Sequence, residues 1–271
     1  VSTPLLAEPS AVFSMHDGAW LPSALSRGPW DERAQHGGAA GALLAHVAES
    51  ELPDHSWTLS RMSMELVKPV PVAPLHSRTA LHPGRSTMRM TVDLLSGEVL
   101  VARAHMLAVR GQGFTLPDGV PGWSPDRLLP GPASCSEPAV IPGMPHGTSF
   151  YYNAVEHRMA GGNIARPGPG AAWFRLRVPI IDGATTTPFM LAAAVADSGS
   201  GISWVLPPET YLFANADLSL HLHRAPAGEW LGMESESQVD GGGAGTTLSR
   251  LYDVDGPVGV AVQTLVVRER R

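Results

Sequence analysis

One stretch leaves this chain few ways to fold: His36-Gly37-Gly38-Ala39-Ala40-Gly41-Ala42-Leu43-Leu44-Ala45-His46-Val47-Ala48-Glu49. Alanine and leucine are strong helix formers, and no proline interrupts the run. Few of its positions suit water, so a helix of this composition is buried nearly all round. A buried helix needs something wrapped around it. From Thr58 the period of the sequence changes to two. Met62, Met64 and Leu66 alternate with Arg61, Ser63 and Glu65, the pattern of a half-buried strand. Strands are also predicted over 75–81, 87–95 and 99–110, with turns at His82-Pro83-Gly84-Arg85 and Ser96-Gly97. Upstream, residues 12–25 read as one strand or two short ones around Trp20. The first part of the chain is therefore strand, helix, then four antiparallel strands.

That order occurs twice. A proline- and glycine-rich stretch, 111–147, reads as a linker. Beyond it, strands are predicted over 149–158 and 173–178. Thr187 is a good N-cap and Pro188 fits the first helical position, so a second helix runs from Phe189 to Asp197. Strands follow over 213–223, 230–239, 246–252 and 258–268. Segments of the two halves match in order. Leu43 to Glu49 lines up with Leu191 to Asp197, and Met62 to Lys68 with Leu218 to Arg224. Gly97 to Ala102 lines up with Gly256 to Ala261, and Leu107 to Arg110 with Leu265 to Arg268. The last two matches need a one-residue slip between them, as a β-bulge would give. The expected architecture is an α+β double hotdog: two antiparallel sheets, each wrapped around a central helix, joined as one continuous sheet. Its expected parts are an N-terminal hotdog (1–110), the linker (111–147) and a C-terminal hotdog (148–271).

Three stretches carry a resemblance. They are Gly28-Pro29-Trp30-Asp31 through His36-Gly37-Gly38, Leu66-Val67-Lys68-Pro69-Val70-Pro71, and Asn215-Ala216-Asp217-Leu218-Ser219-Leu220-His221-Leu222-His223-Arg224. Together they resemble the thioesterase-like superfamily, proteins similar to acyl-CoA thioesterase II, over nearly the whole chain apart from the linker. The resemblance implies hydrolysis by an Asp at the end of the second helix, a Thr at the start of the following strand and a Gln in the last strand. Matched residue by residue, these are Asp197, Asn215 in place of the Thr, and Gln263. Asparagine donates and accepts hydrogen bonds but has no hydroxyl.

The implied chemistry needs a carboxylate to take a proton from water, a polar neighbour to aim that water, and donors for the oxyanion. Asp197 closes an apolar helix, where burial is expected to raise its pKa. Its bland alternative is a cap on the Ser198-Gly199 turn. Gln263 sits among Val, Ala and Leu and needs a partner, unless it points outward. His36, Gly37 and Gly38 are read as substrate-binding, with backbone N–H groups facing the oxyanion, or as glycines that only allow close helix–sheet packing. Glu49 occupies the slot of Asp197 in the first half and is a reserve candidate. The expected function is hydrolysis of an acyl-CoA or related thioester by Asp-activated water. The alternative, raised by Asn215, is a non-hydrolytic acyl- or polyketide-binding protein.

Composition narrows the rest. A net charge of −6 without a long basic run weighs against nucleic acid, and Arg268-Glu269-Arg270-Arg271 reads as a solvated tail. One cysteine, Cys135, cannot form an internal disulfide, and in the linker it reads as an incidental thiol. No basic-then-apolar leader is seen, and no apolar run approaches the ~20 residues of a membrane span, so a cytoplasmic protein is expected. His221 and His223 share a strand face but lack a third ligand, so neither metal nor cofactor is expected. There is no Gly-x-Ser-x-Gly elbow, and Asp240-Gly241-Gly242-Gly243 reads as a hairpin loop rather than a nucleotide site. The expected partners are an acyl thioester on CoA or acyl carrier protein and, from the resemblance, a second copy in a homodimer active in lipid metabolism.

Overall fold

The computed structural model describes residues 9–120, 129–136, 144–145 and 147–270. Expectations for the first eight residues, for Arg271 and for the remainder of the 111–147 linker lie outside the described residues. The first half contains β1 (Phe13–His16), β2 (Ala19–Pro22), α1 (Gly37–Ser50), β3 (Trp57–Glu65), β4 (His76–Pro83), β5 (Thr87–Ser96) and β6 (Val99–Arg110). The second contains β7 (Val155–Gly161), β8 (Gly170–Leu176), α2 (Pro188–Ala196), a short α3 (Gly199–Ile202), β9 (Tyr211–Asn215), β10 (Asp217–Leu222), β11 (Leu231–Val239), β12 (Ala244–Asp253) and β13 (Gly256–Glu269). The reading of 12–25 as two short strands is the one realised. Asp17 and Gly18, at φ 50° and 78°, make the tight turn between them.

Eleven strands form one sheet in the order β4-β5-β6-β3-β10-β13-β12-β11-β8-β7, with β9 also paired to β13. The two halves join where β3 runs antiparallel to β10, and Ser63 stands opposite Ser219. These two residues occupy the same place in their halves, so a pseudo-twofold axis passes between them. It also relates the outer strands: β2 meets the first half through the Trp20–Leu75 bridge, as β8 meets the second through β11.

The register corrects the sequence alignment. On β6 the pairing steps from Ala102 opposite Leu94 to Leu100 opposite Leu95, leaving Val101 as the extra residue. On β13 it steps from Gly259 opposite Leu251 to Pro257 opposite Tyr252, leaving Val258. Val101 therefore corresponds to Val258. The slip expected between the halves disappears, because each half carries its bulge at the same place. A second shared bulge falls at Ser60 and Ala216: Leu59 pairs with Ala108, and Asn215 with Leu265. This bulge splits the strand expected over 213–223 into β9 and β10. The strand expected from 149 also starts late. Phe150–Ala154 form one wide helical turn capped by the Ser149 side chain, and β7 begins at Val155.

α1 and α2 lie side by side, antiparallel, inside the wrap. A methyl group on Gly38 would overlap the Ala194 carbonyl oxygen, and one on Gly41 would stand 3.3 Å from that of Ala193. The small residues of α1 thus set how closely the helices approach, a helix–helix role and not the helix–sheet packing weighed for Gly37 and Gly38. The sheet covers the pair with fully buried Met62, Met64, Met90, Met106, Leu94, Leu218 and Leu220. Among the described residues, no helix is long and apolar enough to cross a membrane.

Candidate active site

The antiparallel helices bring opposite ends together. Asp197 follows the last turn of α2, where its negative charge opposes the dipole of its own helix. The same carboxylate faces the first turn of α1, where the dipole favours it. Gly38 N–H donates to Asp197 Oδ2 at 3.0 Å. His36, the N-cap of α1, sets Nδ1 3.0 Å from the same oxygen. His36 Nδ1 is also 3.0 Å from the Gly38 nitrogen. One nitrogen cannot donate to the carboxylate while accepting from the amide. The anion decides: Nδ1 carries its proton toward Asp197, and Gly38 N–H belongs to the carboxylate too. Gly37 keeps this approach open, since a Cβ there would lie 2.8 Å from both carboxylate oxygens.

The other carboxylate oxygen meets the opposite wall. Asn215 Nδ2 donates to Asp197 Oδ1 at 2.6 Å and to the Asp197 carbonyl at 3.1 Å. Gln263 Nε2 donates to that carbonyl at 3.0 Å, and Gln263 Oε1 accepts from Ser200 N at 3.2 Å. Ser200 Oγ in turn donates to Asn215 Oδ1 at 3.1 Å. Asp197, Asn215 and Gln263 therefore converge, although they lie on α2's end, β9 and β13. Gln263 is 1% exposed and Asp197 7%. The outward position weighed for Gln263 is excluded, because inward positions of β13 alternate through Ala261, Gln263 and Leu265.

Two expectations need correction. Asp197's pKa lies below its ordinary value, not above it. Burial pushes it up, but the His36 charge and hydrogen bond, the Asn215 amide and Gly38 N–H together outweigh burial. Of the backbone donors assigned to His36, Gly37 and Gly38, the Gly38 N–H is spent on Asp197. The N–H of Gly37 has no partner among the described residues and borders the cavity.

Sequence reasoning missed the ion pair of His36, having considered only its backbone, and it missed Ser200. It also missed a buried hydroxyl cluster beneath α3: Ser203 Oγ to Ser237 Oγ at 2.7 Å, Ser237 to Thr247 Oγ1 at 2.7 Å, and Ser235 to Ser249 at 2.8 Å. The alternation Glu234-Ser235-Glu236-Ser237-Gln238 carried that signal, since period two turns both serines inward.

A cavity of about 380 Å³ opens beside Asp197. His36, Gly37, Ser200 and Asn215 line it on the polar side, and Trp30, Met144, Trp204 and Phe213 on the other. The reserve candidate Glu49 lies at the far end of the helix pair, where Thr187 Oγ1 donates to its Oε2 at 2.7 Å. Burial pushes Glu49 up to about 7, against the Thr187 hydrogen bond. His221 and His223 are exposed, and among the described residues no three His, Cys, Asp or Glu side chains come together as a metal site.

Comparison with known proteins bears on the family and the fold. A family model for the acyl-CoA thioesterase N-terminal domain matches residues 26–111, and one for the acyl-CoA thioesterase C-terminal domain matches residues 132–267. No curated protein matches the chain. Among solved structures, a provisionally assigned thioesterase from Novosphingobium aromaticivorans DSM 12444 is 21% identical at TM-score 0.70, covering 94% of this chain and 98% of its own. A provisionally assigned thioesterase II from Thermobifida fusca YX is 15% identical at TM-score 0.71, covering 97% and 96%. An acyl-CoA thioesterase II from Mycobacterium marinum is 18% identical at TM-score 0.60, covering 86% and 91%. These structures share the hotdog fold.

Proposed function

The chain belongs to the acyl-CoA thioesterase family, and from that premise we propose that it hydrolyses an acyl thioester with a water held by Asp197. The observation that carries the reading is the convergence of Asp197, Asn215 and Gln263 beside a cavity. An ionised carboxylate offers about four acceptor sites. His36, Gly38 and Asn215 occupy three, which leaves one on Oδ1 for a water. That water attacks the thioester carbonyl and its proton passes to the carboxylate. Gly37 N–H meets the oxyanion at the open start of α1. The C–S bond breaks, the thiolate takes the proton back, and acid and thiol leave. Because its pKa is lowered, Asp197 is ionised throughout the neutral range but is a weak base. Positioning and oxyanion stabilisation then carry much of the acceleration. CoA or acyl carrier protein as the carrier, and a cytoplasmic homodimer in lipid metabolism, belong to the same proposal.

Hydrolysis is tested on a panel of acyl-CoAs from two to sixteen carbons. Asp197→Asn keeps shape and removes the charge, and is expected to lower kcat/KM by about 10³-fold on the best substrate, within the range of general-base losses. Wild-type turnover no faster than the variant's on every substrate sinks the proposal.

A further inference from the structure

The short helix α3 sets which way two amides face. Ser200 N–H donates to Gln263 Oε1 at 3.2 Å, and Ser200 Oγ donates to Asn215 Oδ1 at 3.1 Å. Each oxygen held in this way turns its own NH2 group toward Asp197. Ser200 thus keys both polar neighbours of the acid. Yet α3 is only four residues long, Gly199–Ile202, and a single turn does not hold itself. Its position comes from what it packs on.

Beneath it lies a polar row. Ser237, Thr247 and Gln263 are direct neighbours across β11, β12 and β13, all buried. Ser203, the C-cap of α3, donates its hydroxyl to the Gly199 carbonyl at 2.9 Å. A hydroxyl has one proton, so Ser203 Oγ accepts from Ser237 at 2.7 Å, and Ser237 Oγ accepts from Thr247 at 2.7 Å. The chain runs one way, from Thr247 through Ser237 and Ser203 to the Gly199 carbonyl, and every proton in it is used. Gly199 completes the fit, since a Cβ there would lie 2.5 Å from Ser249 Oγ and 2.8 Å from Gln263 Oε1. The first half has no such row. Its register puts Leu81, Met90 and Met106 at the places of Ser237, Thr247 and Gln263. Hydrocarbon fills those places without the desolvation cost of hydroxyls, so packing alone does not ask for them. We propose that Ser203, Ser237 and Thr247 are positioning residues of the active site: they hold α3, and through Ser200 they aim the Gln263 and Asn215 amides at Asp197. This rests on the thioesterase reading and adds to it residues that never touch the thioester.

The test compares Ser203→Ala and Ser237→Ala with Ser235→Ala. Ser235 lies on the same strand as Ser237, is also buried, and shares a 2.8 Å hydroxyl bond with Ser249. Among the described residues no hydrogen bond ties that pair to α3. All three variants are expected to lower the melting temperature by about 2–4 °C. Only Ser203→Ala and Ser237→Ala are expected to lower kcat, by about 10- to 30-fold with KM within about twofold, as misplaced groups do. Hydrogen exchange of the Gln263 and Asn215 side-chain amides, read by NMR, is expected to quicken about tenfold in those two and to stay within about twofold in Ser235→Ala. A void of about 10 Å³ borders Ser237, about the space of one water, which admits the methyl of Ser237→Thr. That variant returns the hydroxyl and is expected to restore kcat to within about threefold of wild type. Equal losses of kcat in all three alanine variants overturn the proposal, as does Ser237→Ala with kcat and amide exchange unchanged. If Ser203→Ala does not fold, Ser237→Ala and its threonine rescue decide alone. A wild type that hydrolyses no thioester, with exchange quickened as expected, defeats hydrolysis and leaves the positioning standing. Rapid hydrolysis with all variants alike does the reverse.

Discussion

The two ends of the α1–α2 pair are built on one plan and filled differently. At each end an acid closes one helix and meets the N-cap of the other: Asp197 with His36, Glu49 with Thr187. The shared bulges make the residues around them comparable. Asn215 corresponds to Leu59, since both are the last pair before the bulge. Met62 pairs with Met106, and continuing the β10–β13 register one step past Ser219–Val262 sets Leu218 against Gln263. Gln263 thus stands where the first half has Met106. Leu59 and Met106 are 2% and 0% exposed, so the Glu49 end is walled with hydrocarbon. Asp197 borders its cavity, whereas a cavity of about 370 Å³ near Thr187 is not lined by Glu49. The twofold plan supplies an acid at both ends. Only at one end do the neighbours hold that acid's pKa below its ordinary value.

Making the active end resemble its twin is the strongest way to break this contrast. Gln263→Met gives it the side chain of the other half and leaves the Asp197 carbonyl and Ser200 N–H without their amide partner. Expected is a fall in kcat of about 100-fold, the scale for a misplaced polarising group, with about 2 kcal/mol lost from stability. Steady-state assays and thermal unfolding separate the two. Activity within threefold of wild type would remove Gln263 from the site and leave the halves functionally alike.

Much of this contrast was legible in the sequence, for physical reasons that differ by residue. Period two placed Gln263 on a strand of small apolar residues, and a lone amide there demanded a partner. The Thr187-Pro188 cap fixed where α2 starts, and so where Asp197 ends it. The ion pair of His36 was not legible, because 160 residues of sequence separate two groups that only the crossing of the helices brings together. The sign of Asp197's pKa shift failed for the same reason: the argument counted burial and could not count three donors from other elements. The alignment slip failed because a bulge shared by both halves leaves no trace in composition.

The two acids also predict opposite responses to pH. Asp197 is lowered from 3.8, so its stabilisation is present above that value and is lost as pH falls through its folded value. Glu49 is raised from 4.5 to about 7, so the folded chain binds the extra proton between those values. Its contribution is full below 4.5 and lost as pH rises through about 7. Glu49→Gln keeps an acceptor for Thr187 and removes the buried charge. It is expected to raise stability by about 2 kcal/mol at pH 8 and to change little at pH 4.5, with hydrolysis within threefold of wild type. Thermal unfolding across pH 4 to 8 checks this. Equal melting shifts at both ends of the range would place the Glu49 carboxylate in water, and a large loss of activity would make the far end a working site.

The finest test lies at Asn215, the departure from the Thr that the resemblance puts there. Asn215 Nδ2 reaches both Asp197 Oδ1 and the Asp197 carbonyl, while its Oδ1 takes the Ser200 hydroxyl. A threonine has one hydroxyl for these three bonds. It can hold the carboxylate but not also tie the carbonyl and Ser200. Asn215→Thr is therefore expected to cost about fivefold in kcat, roughly 1 kcal/mol, with Asp197 still oriented. A rise in kcat instead would mean that the hydroxyl does work on the water that the amide withholds. The asparagine would then mark a site tuned toward holding its acyl ligand, and the difference between the two ends would be one of binding before chemistry.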